Sequence, residues 1–288
     1  MAHGELFLKK NEDKRLRLGH LWIFSNEIDT SRSPLEQFAP GDLVQVKTID
    51  NKIMGTAYIN PHSLVCARLL SRKGNLKCGA NFFKERLMTA LALREKLFET
   101  PYYRLIYGES DGLPGLVIDR FGSVLSVQIT TVGMELLKEF LIAALCELLT
   151  PSAIVLKNDN SQRQLEGLGS ESYVAFGELP DILIIEENGA KFKVDIMAGQ
   201  KTGWFYDHRA SRSLTRKLAK NQRVLDLFSY TGAWGIPAAL GGASEVTCVD
   251  ASEGALSLAS ENAKLNGIAN KISFVRNDVF DFLKQARQ

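Results

Sequence analysis

Apolar and polar positions alternate differently along three stretches of the chain. Over residues 1–75 the apolar runs are short and bounded by turn signals. Leu6-Phe7-Leu8, Leu21-Trp22-Ile23-Phe24, Leu43 to Lys47, Ile53 to Ile59 and Leu64 to Leu70 read as strands, with Pro40-Gly41-Asp42 and Asp50-Asn51-Lys52 as turns. Many short strands of this kind predict a compact β barrel. From Asn81 the period lengthens. Phe83, Leu87, Ala90, Leu91 and Leu97 recur at helical spacing up to Pro101, and Glu135 to Leu149 reads as a second, strongly apolar helix. Between and after them lie strand candidates at Leu105–Tyr107, Leu116–Asp119, Val124–Thr130 and Ala153–Lys157. Asn188-Gly189, set between Ile182–Ile185 and Lys191–Ile196, is the strongest hairpin signal in the chain.

The third stretch has the clearest grammar. Val224-Leu225-Asp226-Leu227 runs into a turn of small residues with Gly232 and Gly235. Val246-Thr247-Cys248-Val249 ends at Asp250, followed by Ala251-Ser252. Ile272-Ser273-Phe274-Val275 leads to Arg276-Asn277-Asp278. Apolar runs that each deliver an acid, separated by helical runs, predict a doubly wound α/β sheet with its ligand outside the carboxyl ends of the strands. Gly232 and Gly235 let backbone approach a ligand closely. Asp250 stands where a carboxylate accepts ribose hydroxyls, and Asp278 where an acid receives an adenine amino group. The turn is not G-x-G-x-x-G, so a pyrophosphate cradle is poorly supported and a nicotinamide oxidoreductase fits badly. A nucleoside carrying a positive centre fits better. The plainer alternative is that the acids cap helices, as Asp250 and Ser252 are both able to do.

These residues carry a resemblance. Val224 to Gly232, with Asp226, Phe228 and Thr231, resembles the first motif of class I S-adenosylmethionine-dependent methyltransferases. Val249-Asp250-Ala251-Ser252 resembles the second, and Asn277-Asp278-Val279-Phe280 the third. Upstream, Gly199-Gln200-Lys201-Thr202-Gly203-Trp204-Phe205-Tyr206-Asp207-His208-Arg209 is similar to a K-T-G-x-F-x-D-x-R segment. That segment belongs to the bacterial large-subunit (23S) ribosomal RNA cytosine-C5 methyltransferases, which carry an N-terminal PUA domain. The resemblance implies S-adenosylmethionine as cofactor and ribosomal RNA as partner. It implies that Lys201, Thr202, Phe205, Asp207 and Arg209 close over the cofactor. Asp207 as N-cap of a helix over 208–219 is the alternative, and both are compatible. Gly19 to Ile28 resembles the start of the PUA domain. The implied architecture is α/β plus β: a PUA-like barrel over 1–75, a central α+β domain over 76–198 that helps position RNA, and a Rossmann-like methyltransferase domain over 199–288. A homodimer rests on family analogy alone.

Composition narrows this picture. Net charge is only +2, so RNA binding must rest on local patches. Lys14, Arg15, Arg17 and His20 cluster beside Trp22, and Arg68, Arg72 and Lys73 are further phosphate partners. Trp22 itself is expected in the core. Arg104, Glu109 and Asp111 are read as loop structure first. Cys66, Cys78, Cys146 and Cys248 form no C-x-x-C pair, which argues against zinc and against a disulfide framework and fits a reducing cytoplasm. No apolar run has transmembrane length.

One expected part is missing. Methylation at cytosine C5 needs a thiolate to attack C6. In the family it comes from a cysteine beyond an Asp-Pro-Pro segment. No Asp-Pro-Pro occurs, and no cysteine follows Cys248, which reads as a buried structural thiol. The Asp-Pro-Pro segment and the cysteine are therefore expected beyond Gln288, and no catalytic residue is assigned within the chain. Only one half of a class I sheet is present, with Leu225 and Leu227 expected on an open edge. The sequence reads as a fragment that does not methylate RNA alone. A non-catalytic RNA-binding protein, or a methyltransferase acting on another RNA base, are the alternatives.

Overall fold

A computed structural model of the chain describes residues 4–199 and 201–285. It divides into two compact units, residues 1–179 and 180–288. Gln288, beyond which the sequence reading expects the Asp-Pro-Pro segment and the cysteine, lies outside the described residues, as does Gln200.

The first unit begins with β1 (Gly4–Phe7), α1 (Lys14–Arg17), β2 (Trp22–Ile23), β3 (Leu43–Lys47), β4 (Ile53–Ile59) and β5 (Ala67–Ser71). These strands form one sheet in the order β1-β3-β4-β5-β2. Among the described residues no pairing joins the outer strands β1 and β2, so the expected barrel is an open sheet. Its two outer strands are only four and two residues long, and it is the residues beyond them that meet, Leu8 bridging Ile28 and Asp29 N donating to the Phe7 carbonyl at 2.9 Å. Leu6, Ile23, Val44, Val46, Ile59 and Leu69 build its core.

A second layer follows: α2 (Ala80–Leu97), β6 (Tyr102–Tyr107), β7 (Leu116–Phe121), β8 (Val124–Ile129), α3 (Val132–Leu136), α4 (Lys138–Leu149), β9 (Ala153–Asn158), α5 (Gln162–Leu165) and β10 (Glu171–Gly177). The sheet order is β10-β9-β8-β7-β6, antiparallel except for the β8/β9 pair. The single helix expected over Glu135–Leu149 is broken in two at Leu137, and α3 begins earlier, at Val132. Phe83, Leu87, Leu105, Ile118, Val127, Leu145 and Leu156 fill the core between helices and sheet.

Tyr58 locks the two layers. Its ring lies against Gly133, where any Cβ would stand 2.2 Å from it. Its hydroxyl donates to the Pro114 carbonyl at 2.9 Å and pairs with Thr131 Oγ1 at 3.0 Å. Glu166, buried on the second layer, accepts from Asn60 Nδ2 and from Arg68 of the first, both at 2.9 Å. Trp22 is not in the core. It is 41% exposed, and its indole N–H donates to Glu109 at 2.6 Å.

The second unit opens with a hairpin of β11 (Leu183–Glu187) and β12 (Ala190–Val194). Asn188 and Gly189 turn it with φ of 53° and 73°, the paired positive values of a type I′ turn. Then come α6 (Arg209–Leu218), β13 (Arg223–Leu227), α7 (Gly235–Leu240), β14 (Glu245–Asp250), α8 (Glu253–Leu265), β15 (Ile272–Arg276) and α9 (Val279–Gln285). Strands β13, β14 and β15 are parallel and lie in chain order. β13 is an edge strand, with Leu225 exposed. Asn262 on α8 and Asn266, the C-cap residue four positions on, grip the hairpin. Their side-chain oxygens accept from Lys193 N at 2.7 Å and Lys191 N at 2.9 Å, as a neighbouring strand would.

Candidate functional site

The parallel sheet brings the carboxyl ends of β13, β14 and β15 to one edge, so the three acids of the sequence pattern converge there. They are not equivalent. Asp226 turns inward. It is buried, and its Oδ2 accepts from the N–H of Gly235, the first residue of α7, at 2.8 Å. Burial pushes this carboxyl up to about 6. Asp226 therefore ties strand to helix. Gly235 is required beside it, because a Cβ there would meet Cys248 Sγ at 2.5 Å.

Asp250 faces the edge and is half-buried. Its Oδ2 accepts from Tyr230 N at 2.8 Å and its Oδ1 from Ser252 N at 2.9 Å. Among the described residues no cation pairs with it. Each oxygen keeps a lone pair. Asn277 N donates to the Asp250 carbonyl at 3.1 Å, which holds the end of β15 against the end of β14. Asp278 caps α9, its Oδ1 accepting from Phe280 N at 2.9 Å and Asp281 N at 3.1 Å. Ser252 caps α8 through Ala255 N. Capping thus accounts for part of the acid pattern, and the exposed Ala251 sits between Asp250 and that cap.

The loop from Phe228 to Gly232 carries the strain. Phe228 and Tyr230 have φ of 57° and 47°, a left-handed backbone that ordinary side chains adopt at a cost of about 1–2 kcal/mol each. Gly232 follows at 78°. Between them Ser229 Oγ and Thr231 Oγ1 are buried without a hydrogen-bond partner among the described residues. Unpaired buried hydroxyls and a strained turn in one five-residue loop are what a ligand-binding loop shows. Asn262 steadies it, donating to the Thr231 carbonyl at 3.2 Å. Exposed Phe228 and Phe280 stand edge to face at 6.1 Å. Val279 is buried.

The segment Lys201 to Arg209 reaches this loop through aromatic contacts. Lys201 Nζ lies 4.5 Å over the Phe205 ring, Phe205 neighbours His208, and the His208 ring is 5.7 Å from Trp234 at the start of α7. The segment is anchored by Trp204. Its indole donates to Glu187 at 3.1 Å, and Glu187 also takes two bonds from Arg212 on α6, all three side chains buried. Thr202 is buried, and Asp207 is exposed. Asp207 does not cap α6: the N-cap is His208, and no side chain bonds there.

Ser229, Tyr230, Phe280, Asn262, His208 and Trp234 were not singled out from sequence. Ser229 and Tyr230 sit inside the first motif-like run and were within reach. Asn262 was not, because its i, i+4 pairing with Asn266 gains meaning only once the hairpin is placed.

The basic candidates lie in the first unit, and half of them are neutralised. Arg15 pairs with Glu27 and Arg17 with Asp13. Arg68 pairs with Glu166. Lys14, His20 and Arg72 are exposed. Among the described residues no group of His, Cys, Asp and Glu is arranged to hold a metal ion, and no helix is long and apolar enough to cross a membrane.

Comparison with known proteins agrees with this geometry. Residues 6–72 match the PUA-like domain family, and residues 168–288 match the family of S-adenosylmethionine-dependent methyltransferases. The chain is 39% identical over 287 residues to ribosomal RNA large subunit methyltransferase I of Cronobacter sakazakii, covering 98% of this chain and 72% of that protein. Identity to the protein of the same name from Klebsiella pneumoniae strain 342 is 38%, with 98% and 71% covered. Among solved structures, one assigned as a methyltransferase and determined with SAH superposes with a TM-score of 0.84 at 25% identity, over 99% of this chain and 72% of that one. A structure from Streptococcus mutans has the same fold, with a TM-score of 0.83 at 24% identity, over 99% of this chain and 73% of that one. The buried unpaired hydroxyls, the strained loop and the uncompensated Asp250 suit S-adenosylmethionine, and the chain belongs to the S-adenosylmethionine-dependent methyltransferase family that includes ribosomal RNA large subunit methyltransferase I.

Proposed function

We propose that this protein acts on large-subunit ribosomal RNA and that its reaction is methylation of cytosine C5. The observation that carries the substrate class is the 39% identity, along nearly the whole chain, to proteins named for that RNA. The acceptor atom is supported by the likeness of Lys201–Arg209 to the matching segment of cytosine-C5 enzymes. A ribosomal substrate puts the work in the cytoplasm. The homodimer of the family analogy is open to sedimentation.

S-adenosylmethionine, when bound, supplies a transferable methyl group on a sulfonium. The chain's own residues hold and orient it. Asp250 offers the ribose the acceptor capacity that Tyr230 and Ser252 leave free. Asp226 fixes the Gly232 turn from below, through Gly235. Thr231, Gly232, Ala251, Ser252 and Asn277 shape the edge. Asp278 and the exposed Phe228 serve the adenine, with Val279 packed behind them. Lys201, Thr202, Phe205, Asp207 and Arg209 flank the site. Lys14, Arg15, Arg17, His20, Arg68 and Arg72 remain the phosphate candidates of residues 1–75, with 76–198 positioning the RNA and 199–288 holding the cofactor.

The nucleophile is a separate matter. Burial pushes the Cys66 thiol up to about 12 and the Cys78 thiol up to about 11, and it raises Cys146 and Cys248 as well. No cysteine here favours a thiolate at neutral pH. We infer that none of these four thiols makes the C6 attack. The test is transfer of labelled methyl from the cofactor to large-subunit ribosomal RNA, with the product nucleoside identified. Label on cytosine C5 produced by this chain alone refutes the statement about the nucleophile. Failure to bind S-adenosylmethionine refutes the whole reading.

A further inference from the structure

A cleft of about 850 Å³ lies in the first unit, between the N-terminal sheet and the second layer. Its volume falls in the range of small-ligand sites. Trp22, Tyr107, Leu64 and Leu165 line it with large apolar surfaces that are 41%, 57%, 71% and 77% exposed. Exposed apolar side chains crowded into one concave place mark a binding site rather than ordinary surface. The two rings are held for the purpose. The Trp22 indole is pinned by its bond to Glu109 and by the edge of Phe24 at 6.4 Å. Tyr107 stands at the end of β6, with the Arg104 guanidinium 5.5 Å from its ring.

The charges that line the cleft are engaged. Arg68 and Glu166 pair with each other, and Glu109 takes the Trp22 N–H. Such a floor suits an uncharged planar group. His62, Gln162 and Thr130 offer donors and acceptors around it. An adjoining hollow of about 680 Å³ shares Glu109 and Ser110 with the cleft, and exposed Arg72 lines it. Stacking faces beside polar edge groups, with a cation one step away, match a base and its phosphate. Base faces are free to stack on side chains only where the strand is unpaired.

We propose that this cleft receives an unpaired base of the RNA, at a docking site built by Trp22 and Tyr107 in the unit that does not hold the cofactor. This rests on the RNA-methyltransferase reading above.

The experiment uses the 288-residue chain and a fluorescein-labelled single-stranded RNA of about 12 nucleotides, the scale of known single-strand sites. A duplex of equal length is the control, and binding is read by anisotropy. Trp22→Ala and Tyr107→Ala are each expected to weaken single-strand binding by about tenfold. Duplex binding and S-adenosylmethionine affinity should stay unchanged. Trp22→Phe, which keeps a stacking face, should retain most of the affinity. Tyr107→Ala alters a side chain more than half exposed, so it keeps the test valid should Trp22→Ala unfold. If the parent chain binds the single strand and Tyr107→Ala leaves that binding unchanged, the cleft is not the site, whether or not Trp22→Ala folds. Equal losses on single strand and duplex also overturn the proposal. A parent chain that binds S-adenosylmethionine but no RNA overturns the RNA reading itself, and the cleft with it.

Discussion

Two loops in this molecule look alike in sequence and differ in physics. Gly108 to Gly115 follows β6, and Phe228 to Trp234 follows β13. Both leave a strand, turn sharply and lie beside acids. In the first, Asp111 is gripped by Arg94 through two bonds, at 2.8 and 2.7 Å, and accepts from Tyr107 N. The left-handed positions are Gly108, Gly112 and Gly115, which adopt them without steric penalty. In the second, Asp250 is held by backbone N–H groups alone. The left-handed positions include Phe228 and Tyr230, and two buried hydroxyls have no partner among the described residues. The acids of the first loop are already taken by protein partners, Trp22 and Arg94. The second keeps charge, acceptors and strain in reserve, which is what a cofactor can use.

The largest test of that contrast is Asp111→Ala. It leaves the nearly buried Arg94 without its partner. Calorimetry or denaturant unfolding should show a loss of about 3 kcal/mol, while S-adenosylmethionine affinity measured on the folded variant stays the same. Asp250→Asn should do the reverse. It removes a charged acceptor from a half-buried position that no cation compensates among the described residues. Titration calorimetry should show cofactor affinity falling by a factor on the order of 30, or about 2 kcal/mol, with stability almost unmoved. Equal effects of both variants on stability and on affinity would erase the distinction.

Sequence made the second loop legible for a simple reason. An apolar run ending at an acid, repeated down the chain, leaves few folds other than a parallel sheet, and the acids then share an edge. Asn188-Gly189 was legible because both turn positions need positive φ. What escaped was nonlocal. Trp22 reads as a core residue until Glu109 is found 87 positions away. Arg68 reads as a free cation until Glu166 neutralises it from 98 positions away. The barrel failed because strand candidates carry no record of whether the outer two meet. Asp226 and Asp250 end equivalent runs, yet one faces the α7 backbone and the other the ligand edge, a difference made by packing against Gly235.

That difference sets a pH prediction. The ordinary value for Asp226 is 3.8, and burial raises it to about 6 in the fold. Between those values the folded protein holds a proton that the unfolded chain has released. Stability contributed by this site is therefore present at about pH 4 and is lost as pH rises through 6. The rise from 3.8 to about 6 already includes the opposing Gly235 bond, and it sets an upper bound of about 3 kcal/mol. Asp226→Asn keeps an acceptor for Gly235 and removes the titration. Its stability should fall less than the parent's between pH 4 and pH 7 by up to that amount. Parallel pH profiles for the two proteins would show that Asp226 is not held protonated in the fold.

The smallest effect gives the sharpest contrast, because stability and affinity separate. Tyr230→Gly relieves a left-handed side chain, worth about 1 kcal/mol. It also loosens the unfolded chain by about the same amount. The melting temperature should therefore hardly move. Cofactor affinity should still fall severalfold, because Tyr230 N reaches Asp250 only while the turn is held. Gly112→Ala is the mirror experiment. At φ of 70°, with its new Cβ 3.4 Å from the Arg86 guanidinium, it should cost about 1 kcal/mol of stability and leave cofactor affinity alone. If Tyr230→Gly binds S-adenosylmethionine as the parent does, the left-handed backbone at Phe228 and Tyr230 is only a packing solution for the end of β13, and the two loops are alike in physics as well as in sequence.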